Sequence, residues 1–377
     1  MRTMTGRDRL LATLKGEKAD RCPATVHQWQ SWHLANIMGV RDEIDAFEAT
    51  GLDAVVYAGD CMLPTANPDW IISETARERG GDEAGVFDLD ILVRTPAGTL
   101  SGKAVRTPFT TTFTEYLFKN PEDIHLFQAF CPVPVYDPEA LILRKRRLGD
   151  LGILRTGTNG PQGSPWQDAC FWYGTEAMIY RAFDDPVWTH EWLRILQDKK
   201  LEFYERNLKP NCGVFEMIET GGGAASNTVI SPNMFEEFCL PYDIEQHAFI
   251  RDCDPGIAIS YHTCGGMMRI LDLIGANGCS VSETLSPVGC GGDIREGDDE
   301  REVKSKLGSK VLLMGGFNQI QILTDGTEAD IRDEVLRCFR AYGGNGGYIM
   351  MCSDHFFHAG AGNLLAYGRA VRELCRY

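Results

Sequence analysis

His262 and Cys264 stand two residues apart in the stretch Ile259–Gly266, ISYHTCGG. In an extended strand, residues i and i+2 point to the same side. Imidazole and thiol could then grip one ion while Tyr261 and Thr263 face away. The pair also suits a plain strand end with two polarisable side chains, and the triplet alone leaves both readings open. Other groups able to bind metal or move protons close comparable apolar runs: Asp60, Glu219, Glu283 and Cys352. One histidine, two cysteines and a carboxylate make a tetrahedral zinc set if a fold brings them together.

The elements that must do so are legible as eight short β-branched or apolar runs, at 24–28, 54–60, 152–159, 213–223, 257–266, 280–285, 311–318 and 347–352. Helical patterns lie between most of them. Ser231 before Pro232 is an N-cap followed by a proline at the first helical position. Thr327 and Asp330 have capping-box spacing. Eight strands alternating with helices predict an α/β fold, a single (β/α)₈ TIM barrel spanning 1–377. Residues from about 61 to 150 are too long for one connection. They read as an insertion over the barrel mouth between the second and third strands, with a β-hairpin at 93–105 and a helix at 120–130. A division into two domains is the alternative. Barrel enzymes build their sites at the C-terminal ends of the strands, where all the residues named above fall.

The chain has 377 residues, 44% hydrophobic and 24% charged, as in soluble globular proteins. No run of about 18 apolar residues predicts a membrane span, and the N-terminal stretch reads as an ordinary helix, not a signal peptide. A formal charge of −16 argues against nucleic-acid or anionic-membrane partners. The 13 cysteines are scattered and odd in number, which disfavours a disulfide scaffold. A reducing, cytoplasmic setting, such as that of an anaerobe, suits them. No residue pattern sets the oligomeric state.

Four segments, RDRLLATLKGEKADRCP (7–23), ISPNMFEEFCLPY (230–242), HTCGG (262–266) and GGYIMMC…GNLLAYGRAVREL (346–352 and 362–374), occur in an order that resembles the uroporphyrinogen decarboxylase superfamily. The resemblance covers nearly the whole chain and implies a (β/α)₈ fold. One branch of that superfamily decarboxylates uroporphyrinogen without a cofactor. The other holds zinc-dependent, cobamide-linked methyltransferases, of the methylcobamide:coenzyme M type and the O-demethylating type of acetogens. The decarboxylases carry an arginine pair after the first strand, whereas here no arginine lies between Arg21 and Arg41. They also place a histidine where Cys352 is expected to match a zinc-ligand cysteine. A substrate rich in carboxylates would be poorly held without those arginines. The methyltransferase branch is therefore the expectation.

By matched position the resemblance implies His262, Cys264 and Cys352 as zinc ligands, with Glu283 as a displaceable fourth. Glu219 competes for that fourth place, and both carboxylates are candidate catalytic groups. Cys290 reads as a loop cysteine. His27, Trp29, Asp60, Asn159, Glu219 and His355 are candidate substrate contacts; His358 reads equally well as a surface residue. Trp32, Trp70, Trp166 and Trp172 fall in or beside predicted mouth loops and favour an apolar or aromatic ligand. The glycines at 221–223 read as a loop needing space or positive φ. The corrinoid-binding pattern Asp-x-His-x-x-Gly is absent from the chain, so a methyl-corrinoid would ride on a separate corrinoid protein. The substrate expectation is a small methyl donor such as a methoxylated aromatic. A thiol acceptor, a decarboxylase, and a non-catalytic zinc-binding partner of a corrinoid protein are the alternatives.

Overall fold

In the computed structural model, which describes residues 3–64, 67–158, 160 and 163–377, each of the eight apolar runs contains a strand of one parallel sheet. The strands in chain order are β1 (Ala24–Thr25), β2 (Ala54–Tyr57), β3 (Ile71–Glu78), β4 (Phe87–Thr95), β5 (Gly98–Arg106), β6 (Thr111–Glu115), β7 (Gly152–Thr156), β8 (Met217–Gly221), β9 (Ala258–His262), β10 (Val281–Thr284), β11 (Leu312–Phe317) and β12 (Tyr348–Cys352). The parallel sheet runs β1-β12-β11-β10-β9-β8-β7-β2. Its two edges meet where Asp53 N, just before β2, donates to Ala24 O of β1 at 2.7 Å. With helices between the strands, this is a (β/α)₈ barrel.

The expected caps form. Ser231 Oγ accepts from Met234 N at 3.2 Å, and Thr327 and Asp330 make a reciprocal capping box. The helix after Ser231 breaks at Cys239 into Pro232–Phe238 and Leu240–Cys253, because Pro241 cannot supply an interior amide. Among the described residues no helix is long and apolar enough to cross a membrane.

Between β2 and β7 stands a separate antiparallel sheet in the order β3-β4-β5-β6. The hairpin expected at 93–105 is its central pair, joined across residues 96–97. The sequence reading lacks the two flanking strands. β3 is exposed along nearly its whole length, so it carries no alternation of apolar and polar residues to read. The loop between β5 and β6 reaches the barrel mouth, where the Phe109 ring lies 5.0 Å from Trp32, 5.3 Å from Phe357 and 5.0 Å from His358.

The inside of the barrel follows from the two-residue period of its strands. Val55, Ile153, Met217, Val281, Met314, Ile349 and Met351 form one buried apolar cluster, and Leu10 packs into it from helix Gly6–Leu14. That helix closes the end where the strands begin. Its approach is close: a Cβ on Gly6 would sit 2.1 Å from Leu151 O. Arg9 holds the helix in place through Asp20, at 2.7 Å, and through Asp53. The floor of the barrel is thus apolar and closed, and polar side chains can gather only above it.

Candidate metal centre at the barrel mouth

One step further along each strand, the same alternation turns polar groups into the lumen: Tyr57 after Val55, Arg155 after Ile153, Glu219 after Met217 and Glu283 after Val281. Strand register sets Glu283 beside His262 and Glu219 beside Ser260. Arg155 is fully buried. Its Nη2 is 2.7 Å from Glu219 Oε2 and also bonds Glu283. The guanidinium lies 5.0 Å from the centre of the Tyr57 ring, whose hydroxyl donates to Glu219. A charge this deep persists only when paired. Sequence reasoning missed Arg155, although a lone arginine in the buried run GILRT was a signal.

Glu283 also accepts from Ser260 Oγ, and from His262 Nδ1 at 2.8 Å. Burial pushes its carboxyl upward, but Arg155 and His262 outweigh that and hold it well below the ordinary carboxylate range. Burial also opposes charge on His262, yet Cys264, Glu283 and Glu219 together raise its pKa well above the usual value. With Nδ1 held by Glu283, Nε2 is buried and has no partner among the described residues. A histidine whose outer nitrogen is fixed by a carboxylate is oriented as metal ligands are.

His262, Cys264 and Asp354 each bring a ligand atom within 4.8 Å of the others. The glycine run after β8 makes room for the pair: a Cβ on Gly223 would lie 2.6 Å from Cys264 Sγ, and one on Gly221 2.4 Å from His262 O. Gly221 has φ +86, so that stretch needs glycine for both reasons the sequence suggested. The end of β10 braces the same segment. Thr284, with φ +81, donates from Oγ1 to Thr263 O at 2.7 Å. A β-branched residue in that conformation is strained.

Cys352 is a correction. Met351 belongs to the lumen cluster, so its neighbour Cys352 faces the helix layer, with its strand partner Phe317 and with Tyr367 of the last helix. It is fully buried, and burial pushes its thiol far up. Asp354, two residues beyond, is the group that reaches His262 and Cys264. Glu283 touches the imidazole of His262 itself. It stands behind His262, on the Nδ1 side, with its oxygens already engaged by Arg155, Ser260 and His262. His27, Glu219, His262 and Glu283 also converge within 4.8 Å, but there Arg155 already supplies the cation.

The remaining candidates divide. His27 is 3% exposed, with its ring 4.9 Å from His262 and 4.8 Å from His355; burial lowers its pKa to about 4. His355 is half-buried, with Nδ1 3.0 Å from the Gln30 amide. Trp29 packs on Phe47 and Phe356. With Asp60 and Tyr57 it lines a neighbouring cavity of about 460 Å³, where Asp60 pairs with Arg144 at 3.2 Å. Asn159 lies outside the described residues. Trp70, Trp166 and Trp172 pack in the core; Trp32, Phe109 and Phe357 are the aromatic residues at the mouth. Cys290 bonds Asn318 and Gln319 in its loop, at 3.2 and 3.3 Å, and His358 is exposed.

Comparison with known proteins places this geometry in context. The family model for uroporphyrinogen decarboxylase (URO-D) matches residues 112–357, well over half of the chain. A methyltransferase from Methanosarcina mazei is similar in structure, with a TM-score of 0.66 at 15% identity over 98% of this chain and 99% of that one. A family 10 xylanase from Thermobacillus composti reaches a TM-score of 0.37 at 10% identity, over 67% and 87% of the two chains, too little to carry an argument. No curated protein matches by sequence.

Proposed function

We propose a function from one premise: the chain belongs to the uroporphyrinogen decarboxylase family. Within it, the chain acts as a zinc-dependent methyltransferase, moving a methyl group between a small substrate and the cobalt of a separate corrinoid protein. The observation that carries this reading is the buried, unpartnered Nε2 of His262, aligned by Glu283 and joined by Cys264 and Asp354. These three side chains would hold zinc. Bound there, the ion supplies Lewis acidity toward a substrate heteroatom.

The protein's own residues set the terms. Glu283 keeps the proton on His262 Nδ1, and Arg155 keeps Glu283 ionised. Phe357, 6.3 Å from the His355 ring, joins Phe109 and Trp32 in an aromatic cluster at the mouth, suited to a flat apolar substrate. A carboxylate in the third ligand position is a harder donor than a thiolate. It leaves the ion more electrophilic and favours activating an ether oxygen. A methoxylated aromatic is therefore the proposed donor, demethylated as the carbon–oxygen bond breaks and oxygen keeps the electron pair; transfer to a thiol is the second reading. Decarboxylation of a porphyrinogen is disfavoured, because the lumen arginine is already committed to two carboxylates of the protein.

The test mixes the zinc-loaded chain, a corrinoid protein in its Co(I) state and a panel of methoxyarenes and thiols. Loss of the Co(I) spectrum with zinc, and not after chelation, is the expected result. Equal rates with and without zinc would overturn the reading, as would turnover of uroporphyrinogen to coproporphyrinogen.

A further inference from the structure

Asp354 faces two sets of donors. On one side are His262 and Cys264; on the other are His27 and His355, whose ligand atoms also fall within 4.8 Å of its carboxylate and of each other. The geometry points to a second divalent transition-metal site formed by His27, His355 and Asp354, with the Asp354 carboxylate shared between two ions. This rests on the zinc reading of the His262–Cys264 side.

The distances fit coordination better than hydrogen bonding. His27 Nε2 and His355 Nε2 each lie 3.9 Å from Asp354 Oδ1. That is beyond hydrogen-bond range, so neither ring holds the carboxylate by a direct bond. Donors about 2.0–2.1 Å from a tetrahedral ion stand roughly 3.3–3.4 Å apart, so the two ring-to-carboxylate distances need to close by only about half an ångström. Two nitrogens and one oxygen suit the harder, non-thiolate members of the first transition row.

The outer nitrogen of His27 has a carboxylate nearby but makes no hydrogen bond to it. His27 Nδ1 lies 3.7 Å from Glu283 Oε1, the same oxygen that holds His262 Nδ1. The Gln30 amide is 3.0 Å from His355 Nδ1. The amide nitrogen is the atom that meets Nδ1, so this contact fixes the orientation of the His355 ring. His27 is almost completely buried, with Nδ1 unpartnered among the described residues. Burial keeps it neutral, the form that binds metals.

Charge points the same way. Arg155 pairs with Glu219 and Glu283, and a metal-bound Cys264 would add a thiolate beside the Asp354 carboxylate. One divalent ion leaves that group anionic. A second ion reverses the sign and gives a developing phenolate or thiolate a counter-charge.

Cobalt(II) titration of the chelator-stripped full chain decides the matter. The wild type should bind two cobalt ions per chain, one of them giving the near-ultraviolet charge-transfer band of a thiolate ligand. His355→Ala and His27→Gln should each bind one and keep the band, with unchanged circular dichroism. Saturation of the wild type at one ion with the band would overturn the second site and leave the zinc reading standing. So would a His355→Ala variant that still binds two. A single ion without the band would remove the Cys264 site, and the shared centre with it.

Discussion

Glu283 Oε1 stands 2.8 Å from His262 Nδ1, on the side of the ring away from Cys264 and Asp354. Under the zinc reading, the carboxylate would therefore govern the metal through the histidine and its tautomer. Glu283→Gln should retain zinc but bind it about 10–100-fold more weakly, the usual cost of losing an outer partner of a ligand histidine. Competition against a chromophoric chelator measures this. Unchanged affinity would show that His262 needs no such support.

Asp354, and not the expected Cys352, is the proposed third ligand. Asp354→Ala should weaken zinc binding by more than about a hundredfold, beyond the loss of an outer partner. Cys352→Ala should keep full zinc occupancy and lose only roughly 1 kcal/mol of stability from a small buried cavity. Metal analysis of the two purified variants reads the outcome directly, and loss of zinc in Cys352→Ala would restore the thiolate.

How much of this was legible depends on what each residue's meaning rests on. The barrel strands could be read because each is an apolar run, buried on both faces and closed by glycine or a polar turn. His262 and Cys264 could be paired because they are only two residues apart, although β9 ends at His262 and Cys264 lies just beyond it. Cys352 could not be placed from the run GYIMMC alone. Which face its last residue takes depends on the parity of β12 against its neighbours, and one position reverses it. Asp354 lies beyond the strand, where no period applies. Arg155 was hidden for the opposite reason: it sits in a run so apolar that its partners, Glu219 and Glu283, come from strands far off in sequence.

A pH effect on stability should arise away from the metal. Tyr261 OH donates to Asp243 Oδ2 at 2.7 Å, but burial dominates and raises the Asp243 carboxyl to about 7. The folded state thus keeps a proton that the unfolded chain releases near about 3.9. Stability is fully present below that value, falls as pH rises toward 7, and is level above it. Asp243→Asn should flatten this slope and stabilise the protein at pH 8 by up to about 4 kcal/mol. Urea melts at pH 5 and 8 test it, and a wild-type slope of the opposite sign would refute it.

Leu10→Ala should cost roughly 2–5 kcal/mol, because its side chain fills the floor of the barrel and the strands around it cannot collapse inward. Zinc stoichiometry should not change, since the apolar layer separates Leu10 from the polar one. Thermal melts with parallel metal analysis check both halves.

That same floor turns the barrel into a room with one door. Whatever enters, reacts and leaves must pass the rim where Phe109, Trp32 and Phe357 stand, and under the proposed function a macromolecule presenting cobalt would cover the same opening. Two reactants that share an entrance cannot arrive in either order: the small molecule has to be inside before the large one arrives, and the demethylated product waits until it departs. Steady-state kinetics should accordingly follow a compulsory sequence, with excess corrinoid protein inhibiting by shutting the substrate out.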